Sequence, residues 1–366
     1  MKNIIMHKVE NSEFPNVTLI NRYPLGTGIG EYVADLLQVG CFECISLIFK
    51  KSDAGKVNFP GKVVCGLIPD INPKLEFLFN AYLQRFSYAK LRNRIVKIST
   101  KGDIVHFTDP SIFPFVNNEK AIVTIHDIMA YYPDETGGGF MNGRYRFVVS
   151  NLKKYREYSN IITISNKVRD ELLGIGFNDN ITVIPYPISS TFKFLDAKKK
   201  AREALGLPVD KILVLSISTD TPRKNLGLVK KTIDLLGDGF NLVRVGPPVG
   251  NSITFNNIDD REKMNLIYNA CDVLLFPTQD EGFGRPVIEA MASGLPTVVS
   301  DIKIMREIAG NASYFVQFTP EQCKEGILYA IEEESNFRKN GIDRAKEFSF
   351  GIFKQRMISY YLNLMS

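Results

Sequence analysis

The chain has 366 residues, 45% hydrophobic and 23% charged, with a formal net charge of +5. At roughly 150 residues per domain two domains are expected, and the composition excludes a disordered or low-complexity chain. The mild positive charge admits an anionic surface as partner, and no nucleic-acid partner is expected.

In chain order, the opening MKNIIMHKVE has too short an apolar run for a signal peptide. No stretch of about 18 apolar residues follows, so no membrane span is expected. VTLINRY (17–23) reads as a strand, and LGTGIGEY (25–32) as a glycine turn opening the helix GEYVADLLQV. A lone G-x-G is a weak signal, but such a turn lets a phosphate or sugar approach the backbone. Cys41 and Cys44 form a C-x-x-C with no second ligand pair, which reads first as two small half-buried residues and second as a metal site. With Cys65, Cys271 and Cys323 they make five, an odd and sparse set that fits a reducing cytoplasm.

Residues 77–102 carry Arg85, Lys90, Arg92, Arg94, Lys97 and Lys101 and no acid. As a helix they place Tyr88, Leu91, Ile95 and Ile98 on one side and Lys90, Arg94 and Lys97 nearer the other. That suits a core-packed helix with a solvated face and, equally, docking on an anionic membrane. A second acid-free stretch holds Arg144, Arg146, Lys153, Lys154 and Arg156. DIVHF (103–107) and AIVTIHD (121–127) are β-branched runs, the second ending in His126 and Asp127. A histidine at a strand end serves a site or simply bonds a loop. NIITIS (160–165), helical NKVRDELLGIG and NITVIP (180–185) continue an alternation that argues a parallel sheet with crossover helices.

PYPISSTFKF (185–194) interrupts the pattern as a hinge. The alternation then restarts: helical AKKKAREALGL, strand KILVLSIS (211–218), helix NLGLVKKTIDLL (225–236), strand FNLVRVG (240–246), helix DREKMNLIYNAC (260–271) and strand DVLLFPT (272–278). Three further helical segments close the chain after residue 301. Two tandem α/β domains follow, with the ligand expected at carboxyl ends of strands in the cleft between them.

QDEGFGRPVIEAMASGLPTVVSD (279–301) carries the most chemistry. Glu281 precedes the turn Gly282-Phe283-Gly284, where bare backbone admits a ligand. Pro286 and Gly294 then bound a helix of about eight residues, Pro286 to Ser293, whose N-terminus faces the turn as an anion site. Glu289 lies about one turn inside it. Carboxylates beside an anion site make sense if the ligand also carries hydroxyls, because a carboxylate accepts from a vicinal diol. A nucleotide-sugar has both. The same glutamates would also serve merely to cap and solvate the helix, or as the acid pair of a glycosidase. STDTPRKNLGL (218–228) sets Arg223 and Lys224 at another helix start, with Asn225 as its N-cap. Two cations there oppose the helix dipole unless an anion docks between them, and they suit a diphosphate. A solvated basic turn is the alternative.

Together these residues resemble the family-4 glycosyltransferases of the GT-B fold. EGFGRPVIEAMASGLPTVVSD is the most specific element, and TGIGEY, TIHD, TPRKN, IYNACDVLLFPT and IITIS…ITVIP occur in the family's order. TGIG, TIHD and PRKN in combination look most like the mannosyltransferase-like branch. The resemblance implies two Rossmann-like domains with the site in the interdomain cleft. Residues 1–187 form an acceptor-side domain, 188–348 a nucleotide-sugar-binding domain, and 349–366 a helix crossing back. It also implies a retaining transfer from a nucleotide-diphosphate-sugar to a glycan or lipid-linked acceptor, with neither cofactor nor metal, in the cytoplasm or on the cytosolic membrane face. Arg223 and Lys224 match diphosphate-binding positions, and Glu289 the ribose ligand. Glu281 with Gly282, Phe283 and Gly284 matches the group around sugar and phosphates. His126 matches the residue facing the sugar, and Gly28 the loop closing over it. Ser218 stands where the family often has glycine, Arg285 where an apolar residue is common, and IPYPISS where many members have an Asn-Gly turn. A non-catalytic subunit of the same fold, or an epimerase or phosphorylase, are the competing functions.

Overall fold

The computed structural model describes residues 15–25, 27–40, 42–50, 61–68, 104–112, 121–128, 143–158, 160–256, 258 and 260–365. The basic segment 77–102 and Cys41 lie outside them.

Two parallel sheets organise the chain. Among the described residues the first has seven strands: β1 (Val17–Asn21), β2 (Phe42–Lys50), β3 (Lys62–Ile68), β4 (Ile104–Phe107), β5 (Ala121–Ile125), β6 (Asn160–Thr163) and β7 (Ile181–Val183), in the order β3-β2-β1-β4-β5-β6-β7. The second has six: β8 (Ile212–Ile217), β9 (Phe240–Val245), β10 (Ile253–Phe255), β11 (Val273–Phe276), β12 (Thr297–Ser300) and β13 (Tyr314–Val316), in the order β10-β9-β8-β11-β12-β13. Strands β1, β4, β5, β11 and β12 are buried along their whole length, as expected of apolar runs covered on both faces. The strand order reverses between β1 and β4 and between β8 and β11. Those reversals open a crevice at the carboxyl edge of each sheet.

Strands β2, β3, β10 and β13 are additions to the sequence reading. β10 and β13 are only three residues long, too short for period-2 alternation to register. Four helices, not three, follow β12: α8 (Lys303–Ala309), α9 (Pro320–Glu332), α10 (Glu334–Lys346) and α11 (Phe350–Asn363). The earlier helices are α1 (Gly28–Val39), α2 (Gly143–Tyr155), α3 (Asn166–Gly174), α4 (Lys198–Leu205), α5 (Leu226–Leu236), α6 (Arg261–Ala270) and α7 (Arg285–Ala292).

The chain passes between the sheets twice, and the crossings are tied together. Ile188 N donates to the Phe348 carbonyl at 2.8 Å, and Ile188 bridges Ser349 in parallel. α11 then returns to the first domain, burying Phe353, Met357 and Tyr361 at four-residue spacing. The Tyr361 hydroxyl lies 2.8 Å from His106 Nδ1, and His106 Nε2 lies 2.7 Å from Thr124 Oγ1. An aromatic chain joins the halves at the cleft base: Tyr32 to Tyr186 at 5.5 Å, Tyr186 to Phe283 at 5.1 Å and Phe283 to Phe348 at 5.8 Å. Cys44, Cys271 and Cys323 are buried. In the second basic stretch Arg156 turns inward, donating to the Ile175 carbonyl and lying 5.8 Å from the Phe177 ring centre. No helix among the described residues is long and apolar enough to cross a membrane.

Candidate active site

The β8–β11 reversal brings two sequence-distant turns together. The first leaves β8 and runs through a single 3-10 turn, Pro222–Lys224; the second leaves β11 and carries Thr278 to Gly284. Arg223 Nη1 donates to the Asp280 carbonyl at 2.7 Å and lies 3.3 Å from Glu281 Oε2, while Lys224 Nζ pairs with Glu281 Oε1. Gln279 N returns a bond to the Arg223 carbonyl at 2.7 Å. The anion between the two cations is therefore Glu281 itself. Burial holds the Lys224 ammonium below the ordinary lysine range, with Glu281 opposing. Asn225 occupies the cap position of α5 in the left-handed conformation, φ 55°, but its side chain makes no cap bond, so the expected Asn225 cap is corrected to a backbone role.

α7 starts at Arg285, one residue before the expected Pro286, and ends at Ala292. Gly284 is its left-handed cap, φ 101°. Gly282 is required by contact, though not with a ligand: a Cβ there would lie 2.5 Å from the His126 carbonyl. Ser165 Oγ donates to the Gly282 carbonyl at 2.8 Å. On its Cβ side and at its carbonyl the bare backbone of Gly282 thus receives the other domain. Glu289 is half-buried and accepts from the Tyr268 hydroxyl at 2.8 Å. Burial raises its carboxyl above the usual range against the pull of Arg285 and Arg261.

His126 follows β5 and is 5% exposed. Its Nε2 bonds the Thr108 carbonyl at 2.7 Å, so it must be the protonated nitrogen. Nδ1 then accepts from the Tyr186 hydroxyl at 2.5 Å. Burial lowers the His126 pKa to about 4, so the ring is neutral at physiological pH. With both nitrogens engaged, the imidazole packs the corner that meets Gly282 and holds Tyr186; the expectation that it faces a sugar finds no free ring nitrogen here.

A cleft of about 260 Å³ opens between the domains, lined among others by Gly28, Phe283, Arg285 and Glu289. Gly28 begins α1, and its carbonyl accepts from Arg285 Nη1 at 3.4 Å. Arg285 Nη2 reaches Asp35 Oδ2 at 3.2 Å, and Arg261 pairs with Glu31 and lies 3.9 Å from Asp35. Two acids on one face of α1 thus grip two arginines of the second domain. Burial raises the Asp35 pKa to about 6, opposed by both arginines. On the cleft's other flank Lys167 Nζ lies 2.5 Å from Asp280 Oδ1. Glu307 of α8 caps the start of α3, accepting from Asn166 N at 2.6 Å and Lys167 N at 3.0 Å.

Sequence reasoning missed Tyr186, Tyr268, Asp35, Arg261 and Lys167. The i, i+4 acids of α1 were the available signal for Asp35; the others become visible only through tertiary contacts. Among the described residues no group of three or more His, Cys, Asp and Glu is placed to hold a metal ion.

Residues 197–348 match the family model of glycosyl transferases group 1, and residues 59–192 that of glycosyltransferase family 4. The O-antigen chain mannosyltransferase RfbU of Salmonella typhimurium is 24% identical over 336 residues, 84% of this chain and 88% of its own. The N,N'-diacetylbacillosaminyl-diphospho-undecaprenol alpha-1,3-N-acetylgalactosaminyltransferase of Campylobacter jejuni is 24% identical over 261 residues, 65% of this chain and 69% of its own. The structure of Anabaena HepE in complex with UDP-glucose has the same fold, with a TM-score of 0.71 at 16% identity over 95% of this chain and 99% of that one. With one family model in each half, relatives spanning both, and a shared two-domain architecture, the chain belongs to the family-4-like glycosyltransferases of the GT-B fold and is a glycosyltransferase enzyme.

Proposed function

We propose that this glycosyltransferase moves a hexose, with mannose the first to test, from a nucleotide-diphosphate-sugar to a glycan or lipid-linked acceptor. Transfer retains the anomeric configuration and needs no metal ion. The observation that carries the donor reading is the cluster of Arg223, Lys224 and Glu281 at the sheet's reversal point, beside the cleft that Glu289 lines. Breaking the sugar–phosphate bond leaves negative charge on the diphosphate. Two fixed cations in a partly buried turn meet it, and preorganised charge is often the largest single term in such a step. The donor takes over from Glu281 the neutralising of Arg223 and Lys224. Glu289, held by Tyr268, accepts from the ribose hydroxyls. The turn 282–284 and the α7 N-terminus face the phosphates, and Gly28 closes over them. His126 is a neutral positioning group.

RfbU, an O-antigen chain mannosyltransferase, supports the sugar and the glycan acceptor. The diphospho-undecaprenol in the second relative's name supports a lipid-linked one. The acid-free run 77–102 adds a basic segment suited to the cytosolic face of an anionic membrane. Incubating the enzyme with GDP- and UDP-sugars, a lipid-linked acceptor and anionic liposomes tests these together. Nucleotide release with a sugar-extended product of retained anomeric configuration is expected. Release from no nucleotide-sugar would overturn the donor reading, and failure to float at low salt would remove the membrane surface.

A further inference from the structure

Arg244, on β9, is among the largest fully buried side chains, with 0% exposure. Its guanidinium bonds only neutral acceptors. Nε donates to the Pro247 carbonyl at 3.2 Å, Nη1 to Ser216 Oγ at 3.0 Å and Ser218 Oγ at 3.4 Å, and Nη2 to the Ser218 carbonyl at 2.9 Å. Among the described residues no carboxylate lies within ion-pair distance. Asp220, exposed and further along the same turn, acts on it only from a distance. Burial lowers its pKa to about 10, so it stays charged at neutral pH.

A buried charge without a counter-charge is costly, and hydrogen bonds to neutral groups offset only part of that. Tying two strand ends together needs no charge; a neutral side chain would serve. The position gives the charge a use. Arg244 sits where β8 and β9 end, and Ser218 starts the turn that delivers Arg223 and Lys224. Ile217 and Val245, its neighbours in the two strands, line the cleft. The two loops also touch above it: a Cβ on Gly246, φ 122°, would lie 2.2 Å from the Ser218 carbonyl. Beneath them the medium is apolar, so the field of the guanidinium is weakly screened. Ser218 supplies two of its four acceptors.

We infer that Arg244 is a third cation of the diphosphate site, a positioning residue acting from below the turn. It fixes the Ser216–Ser218 root and lends an unneutralised positive charge to the bound nucleotide diphosphate. The inference rests on the donor reading above.

Calorimetric binding of UDP, GDP, uridine and guanosine to wild type, Arg244→Met and Arg244→Lys tests it, using the base the wild type prefers. Arg244→Met is expected to lose about tenfold or more in diphosphate affinity while nucleoside affinity stays within about twofold, with lysine recovering part of the loss. Equal losses for nucleoside and diphosphate would mean that the arginine only holds the strands, and the inference would fall. If the methionine variant does not fold, the lysine variant decides: a smaller but still diphosphate-selective loss supports the inference, and no loss, or equal losses for nucleoside and diphosphate, overturns it. A wild type that prefers neither diphosphate over its nucleoside would sink the donor reading itself, a result distinct from the variant outcomes.

Discussion

Arg223 and Lys224 share one ion-paired carboxylate, Glu281, whereas Arg261 and Arg285 form ion pairs with two, Glu31 and Asp35. The first cluster belongs to one domain and carries a surplus of positive charge. The second spans both domains and is balanced. A surplus is costly to bury and is relieved by an anionic ligand; a balanced set needs none and serves to hold surfaces together. The same residue types therefore point to substrate binding on one flank and domain closure on the other.

The comparison breaks first at Lys224. Lys224→Ala and Arg223→Ala are each expected to lower kcat by about 10²–10³, with a smaller effect on acceptor KM. Arg223→Lys should recover only part, because a point charge cannot replace a planar fork. Steady-state nucleotide release measures all three, and unchanged kcat would move the surplus charge out of the chemistry. Glu289→Gln comes next. Losing a charge-assisted contact typically costs about 1.5–3 kcal/mol, so nucleoside diphosphate affinity should fall about 10- to 150-fold while the melting curve holds.

The balanced cluster is sharpened by pH. Asp35 is held near 6, above the unfolded carboxylate value, so its share of stability is full below about 4 and lost as pH rises through about 6. Ionised Asp35 nevertheless grips Arg285. Asp35→Asn, neutral throughout, should therefore gain stability relative to wild type between pH 4 and 7.5, while its donor KM at pH 7.5 rises about threefold to tenfold. A Tm difference independent of pH would show that Asp35 does not titrate there. The smallest effect is expected of Tyr361→Phe, which removes one neutral hydrogen bond to buried His106 and costs about 1 kcal/mol with kcat unchanged.

The fold was legible where pattern is strong. The buried strands at 212–217 and 273–276 and the hinge after residue 185 follow from apolar runs and prolines. Arg223 and Lys224 could be singled out because their charge opposes the helix start at which they stand, and Glu281 and Glu289 because carboxylates beside an anion-binding helix end imply a ligand that also carries hydroxyls. Tyr186 and Tyr268 could not, because a tyrosine reads as core until its hydroxyl is seen on His126 or Glu289. Gly282 shows a related limit: a bare backbone predicts close approach but not of what, and on its Cβ side it is the His126 carbonyl.

The central claim is that fixed cations neutralise the leaving diphosphate. Nucleotide release from the preferred nucleotide-sugar in excess EDTA, for wild type beside Lys224→Ala, tests it most directly. The account predicts that wild-type release persists and that the variant loses about 10²–10³ of it. Loss of wild-type release on chelation, restored by magnesium, would contradict it.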